Sequence, residues 1–216
     1  MADTRPLLSI VLPTRNERQT APELLQELMG SFSALWPAAE QAAGLEIVVI
    51  DASEDDTVAR LEASFTAPST SGDRATLHAS LRCLQQTSSG FSGAVGEGLA
   101  QARGQWLLCL NADGQHRAAD AAALFQARLP GALLVGSRFV AGGATPYSLI
   151  RRLMSEVSST LVALVSGVRL RDCFSSFFLL ERSLLETIDL AETVSGRGEG
   201  MLKLAASLAQ RRVPLK

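Results

Sequence analysis

The chain has 216 residues, 47% hydrophobic and 19% charged, which is enough apolar mass for one sizeable globular domain and excludes a disordered chain. The 20 Lys and Arg residues against 22 Asp and Glu leave a formal net charge of -2, so no general attraction to nucleic acid is expected and any phosphate site must be local. Cys83, Cys109 and Cys173 are far apart, odd in number and without C-x-x-C spacing, which excludes a disulfide framework or zinc site and fits a reducing compartment.

Met1–Pro6 is polar and carries no signal-peptide pattern. Leu7–Leu12 reads as a buried first strand ended by Pro13. A helix follows from about Thr20, with Pro22 in its first turn and an apolar stripe of Leu24, Leu25, Leu28, Phe32 and Leu35. Leu45–Ile50 is the second strand, and a helix from about Asp55 carries Val58, Leu61 and Phe65. Thr66–Arg74 is a loop rich in Ser, Thr, Pro and Gly, and Thr76–Leu84 is a third strand. The Gly-rich segment Gly90–Gly98 runs into a helix ending at Gly104. A fourth strand over Gln105–Leu110, a helix over Ala118–Arg128 and a strand over Ala132–Val135 follow. Cys83 and Cys109 fall in apolar strand runs and are expected to pack as small hydrophobes.

Beyond Arg138 the spacing predicts a mobile loop over Ala141–Pro146 and a helix over Ser148–Val165. A short strand over Ser176–Leu180 and a helix over Glu199–Gln210 complete the chain. Leu149–Val168 contains Arg151, Arg152 and Glu156 and is too polar to span a membrane, leaving a surface or membrane-interface helix. Strand–helix alternation predicts an α/β fold of right-handed βαβ units, Rossmann-like, with a mostly parallel sheet and helices on both faces. One domain over 1–216 is the simplest reading, with a nucleotide-binding half to about 115 and an acceptor half from about 116.

Polar clusters recur where these strands end. Thr14-Arg15-Asn16-Glu17 follows the first strand, Asp51-Ala52-Ser53 the second, and Asn111-Ala112-Asp113-Gly114-Gln115-His116 the fourth. In open α/β sheets ligands sit at the carboxyl ends of strands. The third cluster is an oxygen-rich corner suited to Mg²⁺ or Mn²⁺ bridging to phosphate, or else a polar turn capping the next helix. Glu17 and Asp51 are read as ligand contacts, whereas Asp55, Asp56 and Thr57 are read as helix capping. Gly90–Gly98 lets backbone approach a ligand, which puts Ala94 among the donor-contacting positions; close packing on the sheet explains Gly98 and Gly104. A dinucleotide fingerprint after the first strand and a G-x-x-x-x-G-K-[ST] loop are both absent from the sequence.

The run Leu8-Ser9-Ile10-Val11-Leu12-Pro13-Thr14-Arg15-Asn16-Glu17 resembles the "S-V-V-I-P-T-Y-N-E" opening of inverting family-two glycosyltransferases. Glu46–Thr57 resembles their "E-I-I-V-V-D-D-G-S-x-D-x-T", and Gly104–Asp113 the strand leading into their "D-x-D" motif. Val135–Gly143, Arg151–Ser155 and Arg171–Phe177 resemble segments of polyprenyl-phosphate hexosyltransferases, the dolichol-phosphate mannose synthase group. The resemblance implies a nucleotide-diphospho-sugar transferase domain taking a GDP- or UDP-hexose, with a polyprenyl phosphate acceptor, at the cytoplasmic face of a membrane. It implies Pro13 and Glu17 in the nucleoside pocket, Asp51 at the base, and Asn111 at ribose or metal. Asp113 and Gln115 would hold the Mg²⁺ or Mn²⁺, Arg138 a phosphate, and Asp172 would lie by the reacting centre; Asp113 and Asp172 are the catalytic candidates.

The chain departs from the resembled pattern at six positions. Arg15 stands for Tyr, Ala52 for Asp, Asn111 for the first Asp of the metal motif, and Gly96 for a basic residue. Ser176 and Phe178 stand for the Gly and Arg of "S-G-F-R". Relatives also continue beyond Lys216. Two alternatives to lipid-phosphate transfer stay open: a sugar-hydroxyl acceptor, with Asp172 as base, or a non-catalytic nucleotide-sugar-binding relative.

Overall fold

The computed structural model describes residues 5–36, 44–65, 77–136, 175–196 and 198–216. Among these residues six strands form one sheet: β1 (Leu8–Thr14), β2 (Leu45–Asp51), β3 (Ala79–Gln85), β4 (Trp106–Cys109), β5 (Leu134–Val135) and β6 (Phe178–Glu181). The helices are α1 (Thr20–Leu35), α2 (Thr57–Ser64), α3 (Gly90–Gln101), α4 (Ala118–Gln126), α5 (Arg182–Leu185), α6 (Leu190–Thr193) and α7 (Gly200–Gln210). The predicted loops over Thr66–Arg74 and Ala141–Pro146, the helix over Ser148–Val165, and Cys173 lie outside the described residues.

The strand order is β3-β2-β1-β4-β6-β5. β1 pairs in parallel with β2 and β4, and β2 with β3, while β6 runs antiparallel between β4 and β5. At the far edge Leu133 bridges Leu215 in parallel, with Lys216 N–H donating to the Leu133 carbonyl at 3.0 Å.

Every residue of β1 and β2 is buried, as expected for strands covered on both sides. Period-two alternation sends Ile10, Leu12, Ile47, Val49 and Leu108 to one face, where α1, α2 and α4 cover them. It sends Val11, Val48, Ile50, Leu107 and Cys109 to the other, under α3 and α7. Phe32, Trp36 and Phe125 tie α1 to α4, the Trp36 and Phe125 rings stacking at 5.7 Å. A fully buried Leu or Phe of this kind contributes roughly 1.5–3 kcal/mol. Cys109 is wholly buried and burial pushes its thiol far up, while the half-buried Cys83 thiol is raised to about 11, chiefly by burial. Both behave as small hydrophobes.

Topology places the site. β1, α1, β2, α2 and β3 step outward in one direction with their helices on one face. The chain then reverses, crossing under the opposite face through α3 to reach β4. A reversed direction with the helix moved to the other face keeps the same crossover hand. It also leaves a crevice between the carboxyl ends of β1 and β4. α4 breaks the pattern. It returns to the α1 face while the chain moves on to β5, so the run of like-handed units ends at β4.

One further expectation is corrected. Gly90–Gly98 does not lead into a helix; it is the body of α3. Glycine in a helix costs up to about 1 kcal/mol against alanine, and close approach to the sheet compensates. A Cβ on Gly98 would sit 2.3 Å from Val11 Cγ1, and one on Gly104 2.5 Å from the Ser9 nitrogen. Among the described residues no helix is long and apolar enough to cross a membrane.

Candidate functional site

A cavity of about 380 Å³ opens at that crevice. Strand ends contribute in turn: Pro13 and Thr14 at the end of β1 with Arg15 and Glu17 after it, Ala52 after β2, Gln86 and Ser88 after β3, and Asn111, Ala112 and Asp113 after β4. The first turn of α3 closes it with Gly90, Phe91 and Ala94. Ser89, the residue preceding that helix, makes no side-chain cap, so the first N–H groups of α3 are left for another acceptor.

The loops are fastened to one another. Ala52 N–H donates to the Thr14 carbonyl at 3.0 Å, Asn16 N–H to Ser53 Oγ at 2.7 Å, and Glu54 N–H to Asn16 Oδ1 at 3.0 Å. Asn16 reaches this position with φ of 59°, a left-handed conformation that asparagine tolerates. Glu97 of α3 gathers the β3 loop. Its carboxylate accepts the Thr87 and Ser88 N–H groups and the Thr87 hydroxyl. Partial burial opposes ionisation, but these bonds outweigh it and hold the Glu97 carboxyl below its usual range.

The sequence-derived residues divide. Pro13, Glu17, Ala94, Asn111 and Asp113 all line the cavity. Glu17 accepts the Thr20 hydroxyl at 2.5 Å, which ties it to the start of α1. Asp51 does not line it. The carboxylate is 3% exposed and is engaged by the Thr14 hydroxyl at 2.6 Å, the Ser53 hydroxyl at 2.6 Å and Ser53 N–H at 3.1 Å. It meets the cavity through lining neighbours: Thr14, the adjoining Ala52, and Gln86, whose N–H donates to the Asp51 carbonyl at 2.8 Å. Gln115 is exposed and stands behind Asp113, donating to it from N–H at 3.0 Å and from Nε2 at 2.9 Å. Arg138 and Asp172 lie outside the described residues, as do Arg151 and Arg152. Asp55 accepts Thr57 N–H at 3.0 Å, a local role at the start of α2 as expected, whereas Asp56 precedes α2 without a side-chain cap and pairs with Arg60 at 2.6 Å instead.

Asn111 is bound by a residue it was not expected to meet: the Ser176 hydroxyl donates to its Oδ1 at 2.6 Å. Two departures from the resembled pattern are therefore in contact. Gly96 is also explained. A Cβ there would lie 2.4 Å from the Val194 carbonyl, so the position is closed to the basic side chain of the resembled pattern. Gln86, Ser88 and Phe91 also line the cavity and are not among the residues singled out from the sequence as ligand contacts. The polar run Gln85–Ser89 after β3 carries the same signal as the three clusters that were recognised.

Among the described residues no three His, Cys, Asp or Glu side chains gather as a metal cluster. Two carboxylates line the cavity: Glu17, which accepts the Thr20 hydroxyl, and Asp113, which carries one hydrogen bond on each oxygen and is the candidate ligand. That fits a hard cation that takes one carboxylate and completes its shell with phosphate oxygens and water. It does not fit an all-protein cage.

The model of Glycosyl transferase family 2 matches residues 9–189. The dolichol-phosphate mannosyltransferase of Pyrococcus furiosus is 27% identical over 194 residues, covering 85% of this chain and 48% of its own length. That of Saccharomyces cerevisiae is 26% identical over 210 residues, covering 95% and 72%. The chain thus spans about half of the first relative and less than three quarters of the second. Among solved structures, glucosyl-3-phosphoglycerate synthase of Mycobacterium tuberculosis, in complex with Mn²⁺, UDP and glucosyl-3-phosphoglycerate, superposes with a TM-score of 0.56. It is 20% identical, with 85% of this chain and 59% of that one covered. Mannosyl-3-phosphoglycerate synthase of Rubrobacter xylanophilus gives 0.54 at 18% identity, with 96% and 73% covered.

Proposed function

The chain belongs to glycosyl transferase family 2, and from that premise we propose that it transfers a hexose from a GDP- or UDP-sugar to a polyprenyl phosphate, with inversion. The observation that carries the reading is the convergence of four strand ends and Asp113 on one cavity at the chain reversal, in a chain of this family. The acceptor follows the names of the curated relatives.

Pro13, Thr14 and Glu17 hold the nucleoside, with Asp51 acting behind Thr14 rather than on the base. The diphosphate lies against the uncapped start of α3, where N–H groups and the helix dipole favour an anion. Asp113, backed by Gln115, holds a divalent cation, Mg²⁺ or Mn²⁺. Such a cation neutralises charge on the departing nucleoside diphosphate. Arg15 at the cavity and Arg138 add cationic partners for phosphate. The acceptor phosphate is already an anion at neutral pH, so alignment rather than proton removal supplies the rate. Asp172, outside the described residues, is the candidate for a catalytic carboxylate by the reacting centre on the family resemblance. Attachment to the cytoplasmic face of a membrane is peripheral, through the segment Ser148–Val165.

Calorimetry of UDP and GDP, each with and without Mn²⁺, tests the donor site. Metal-enhanced binding of one nucleotide is expected and names the base. Binding of neither overturns the reading. Release of a polyprenyl-phosphate hexose from the matching nucleotide-sugar then tests the acceptor; transfer only to a sugar hydroxyl would replace it.

A further inference from the structure

Two departures from the resembled pattern meet because two strands continue past their last pair. β4 and β6 run antiparallel with Cys109 opposite Phe178. Two residues on from Cys109 and two back from Phe178 stand Asn111 and Ser176, so the register itself sets them opposite one another. There the Ser176 hydroxyl donates to Asn111 Oδ1 at 2.6 Å. Ser176 is 8% exposed, and its neighbour fixes the backbone around it: Ser175 Oγ donates to the Gly136 carbonyl at 2.9 Å and accepts Phe177 N–H at 3.2 Å.

The bond decides what Asn111 has left to offer. Its amide oxygen has already taken a hydrogen, whereas among the described residues no acceptor meets its two amide hydrogens. Asn111 is only half-buried and lines the donor cavity. With the strand order β3-β2-β1-β4, it stands at the β4 end of that cavity, farthest from β3. An adjoining cavity of about 240 Å³ is also lined by Asn111, together with Phe91 from the first turn of α3, so the two residues share one opening. A donor group here joins the free N–H groups at the start of α3. Charge points the same way. A carboxylate at position 111 would repel a diphosphate and, with Asp113, would cancel both charges of a divalent cation. An amide leaves that attraction intact and adds hydrogen-bond donors.

We infer that Asn111 donates its amide hydrogens to an oxygen of the terminal phosphate of the nucleoside diphosphate, rather than ligating the cation, and that Ser176 is the positioning residue that holds the amide in this orientation. The inference rests on the donor reading above. It divides the work of the resembled metal motif, with Asp113 serving the cation and Asn111 the phosphate.

The test is calorimetry of UDP and GDP, and of UMP and GMP, each with and without Mn²⁺. The proteins are the parent, Asn111→Leu, Ser176→Ala, Ser176→Thr, and the double variant of Asn111→Leu with Ser176→Ala. A hydrogen bond to a charged group is worth at least about tenfold in affinity. Asn111→Leu is expected to weaken the diphosphate about tenfold with and without Mn²⁺ alike, to leave the enhancement by Mn²⁺ within about twofold, and to leave the monophosphate within about twofold. Ser176→Ala should weaken the diphosphate about threefold, Ser176→Thr should restore it, and Ser176→Ala should add nothing once Asn111 is Leu. A loss confined to the enhancement by Mn²⁺ makes Asn111 a metal ligand and overturns the inference. An equal loss with the monophosphate moves the contact off the terminal phosphate and overturns it too. So do unchanged affinity in Asn111→Leu and a Ser176→Ala loss that persists in the double variant. Each of these leaves the donor reading standing. Should Asn111→Leu not fold, Asn111→Ala carries the same comparisons. Failure of both diphosphates to bind the parent overturns the functional reading and this inference with it.

Discussion

The two ends of the β1–β2 pair carry the same device with different consequences. In register, Ser9 faces Glu46 at one end and Thr14 faces Asp51 at the other. At both, a hydroxyl donates to a buried carboxylate, at 2.5 and 2.6 Å. At the amino end the carboxylate is then closed off. Arg103 N–H donates to Glu46 at 2.8 Å, Arg82 pairs with it at 2.9 Å, and Gly104 N–H donates to Ser9 Oγ at 2.7 Å. Burial opposes ionisation of Glu46, but bonds from Ser9, Arg103 and Arg82 overcome it and hold its carboxyl below the usual range. At the carboxyl end no cation pairs with Asp51 among the described residues, and its partners Thr14 and Ser53 lead directly into the cavity loops. A pair of identical chemistry is thus a staple at one end and the footing of a binding site at the other. What separates them is where the strands point, not the residues.

The sharpest way to break the comparison is at the closed end. Glu46→Ala leaves Arg82, the Ser9 hydroxyl and the Arg103 N–H without their acceptor and should cost about 3 kcal/mol, the low end for a broken buried pair because Arg82 is partly exposed. Urea unfolding reads this, and nucleotide affinity in the folded fraction should stay unchanged. Thr14→Val at the open end removes one donor to a charged carboxylate and should cost roughly 1.5–3 kcal/mol. Here nucleotide affinity should fall as well, which separates footing from staple. Asp113→Ala should do the reverse of Glu46→Ala: stability within about 0.5 kcal/mol, and the Mn²⁺-dependent part of nucleotide binding lost, at least about tenfold or 1.4 kcal/mol. Unchanged metal dependence in that variant would return Asp113 to a helix-leading turn.

The contrast also explains what the sequence could disclose. Uninterrupted apolar runs such as Ile47–Ile50 and Leu107–Leu110 declare strands buried on both faces, and their order yields the doubly covered sheet. Polar residues at the strand ends mark the cavity, so Glu17, Asn111 and Asp113 were legible. Asp51 is legible as a strand-end carboxylate, whereas its bond to Thr14 shows only once the register of the two strands is known. Glu46 and Ser9 gave no sign at all. A carboxylate inside an apolar strand is decided by partners 36 to 57 residues away, which no local pattern reports. The Ser176–Asn111 bond was hidden likewise, by a separation of 65 residues. The helical nature of Gly90–Gly98 was missed because glycine argues against a helix until the sheet beneath it demands a close approach.

The smallest effect is in acid, and its sign follows from Glu46. Its folded carboxyl titrates below the ordinary 4.5, so folding favours the ionised form. The stabilisation is therefore fully present above 4.5 and is lost as pH falls through the lower, folded value. Glu46→Gln keeps the shape and a hydrogen-bonding capacity but cannot titrate, so its stability should decline less steeply than that of the parent below that pH. Glu97 is shifted in the same direction by Thr87 and Ser88, yet it fastens the β3 loop of the cavity. Glu97→Gln should flatten the acid loss of nucleotide binding more than the acid loss of stability. Measured side by side, by unfolding and by calorimetry between about pH 3 and 6, the range in which carboxyl groups titrate, the two variants should act on different curves. If both flatten the same curve, the two ends of the sheet are one cooperative unit and the division between staple and footing fails.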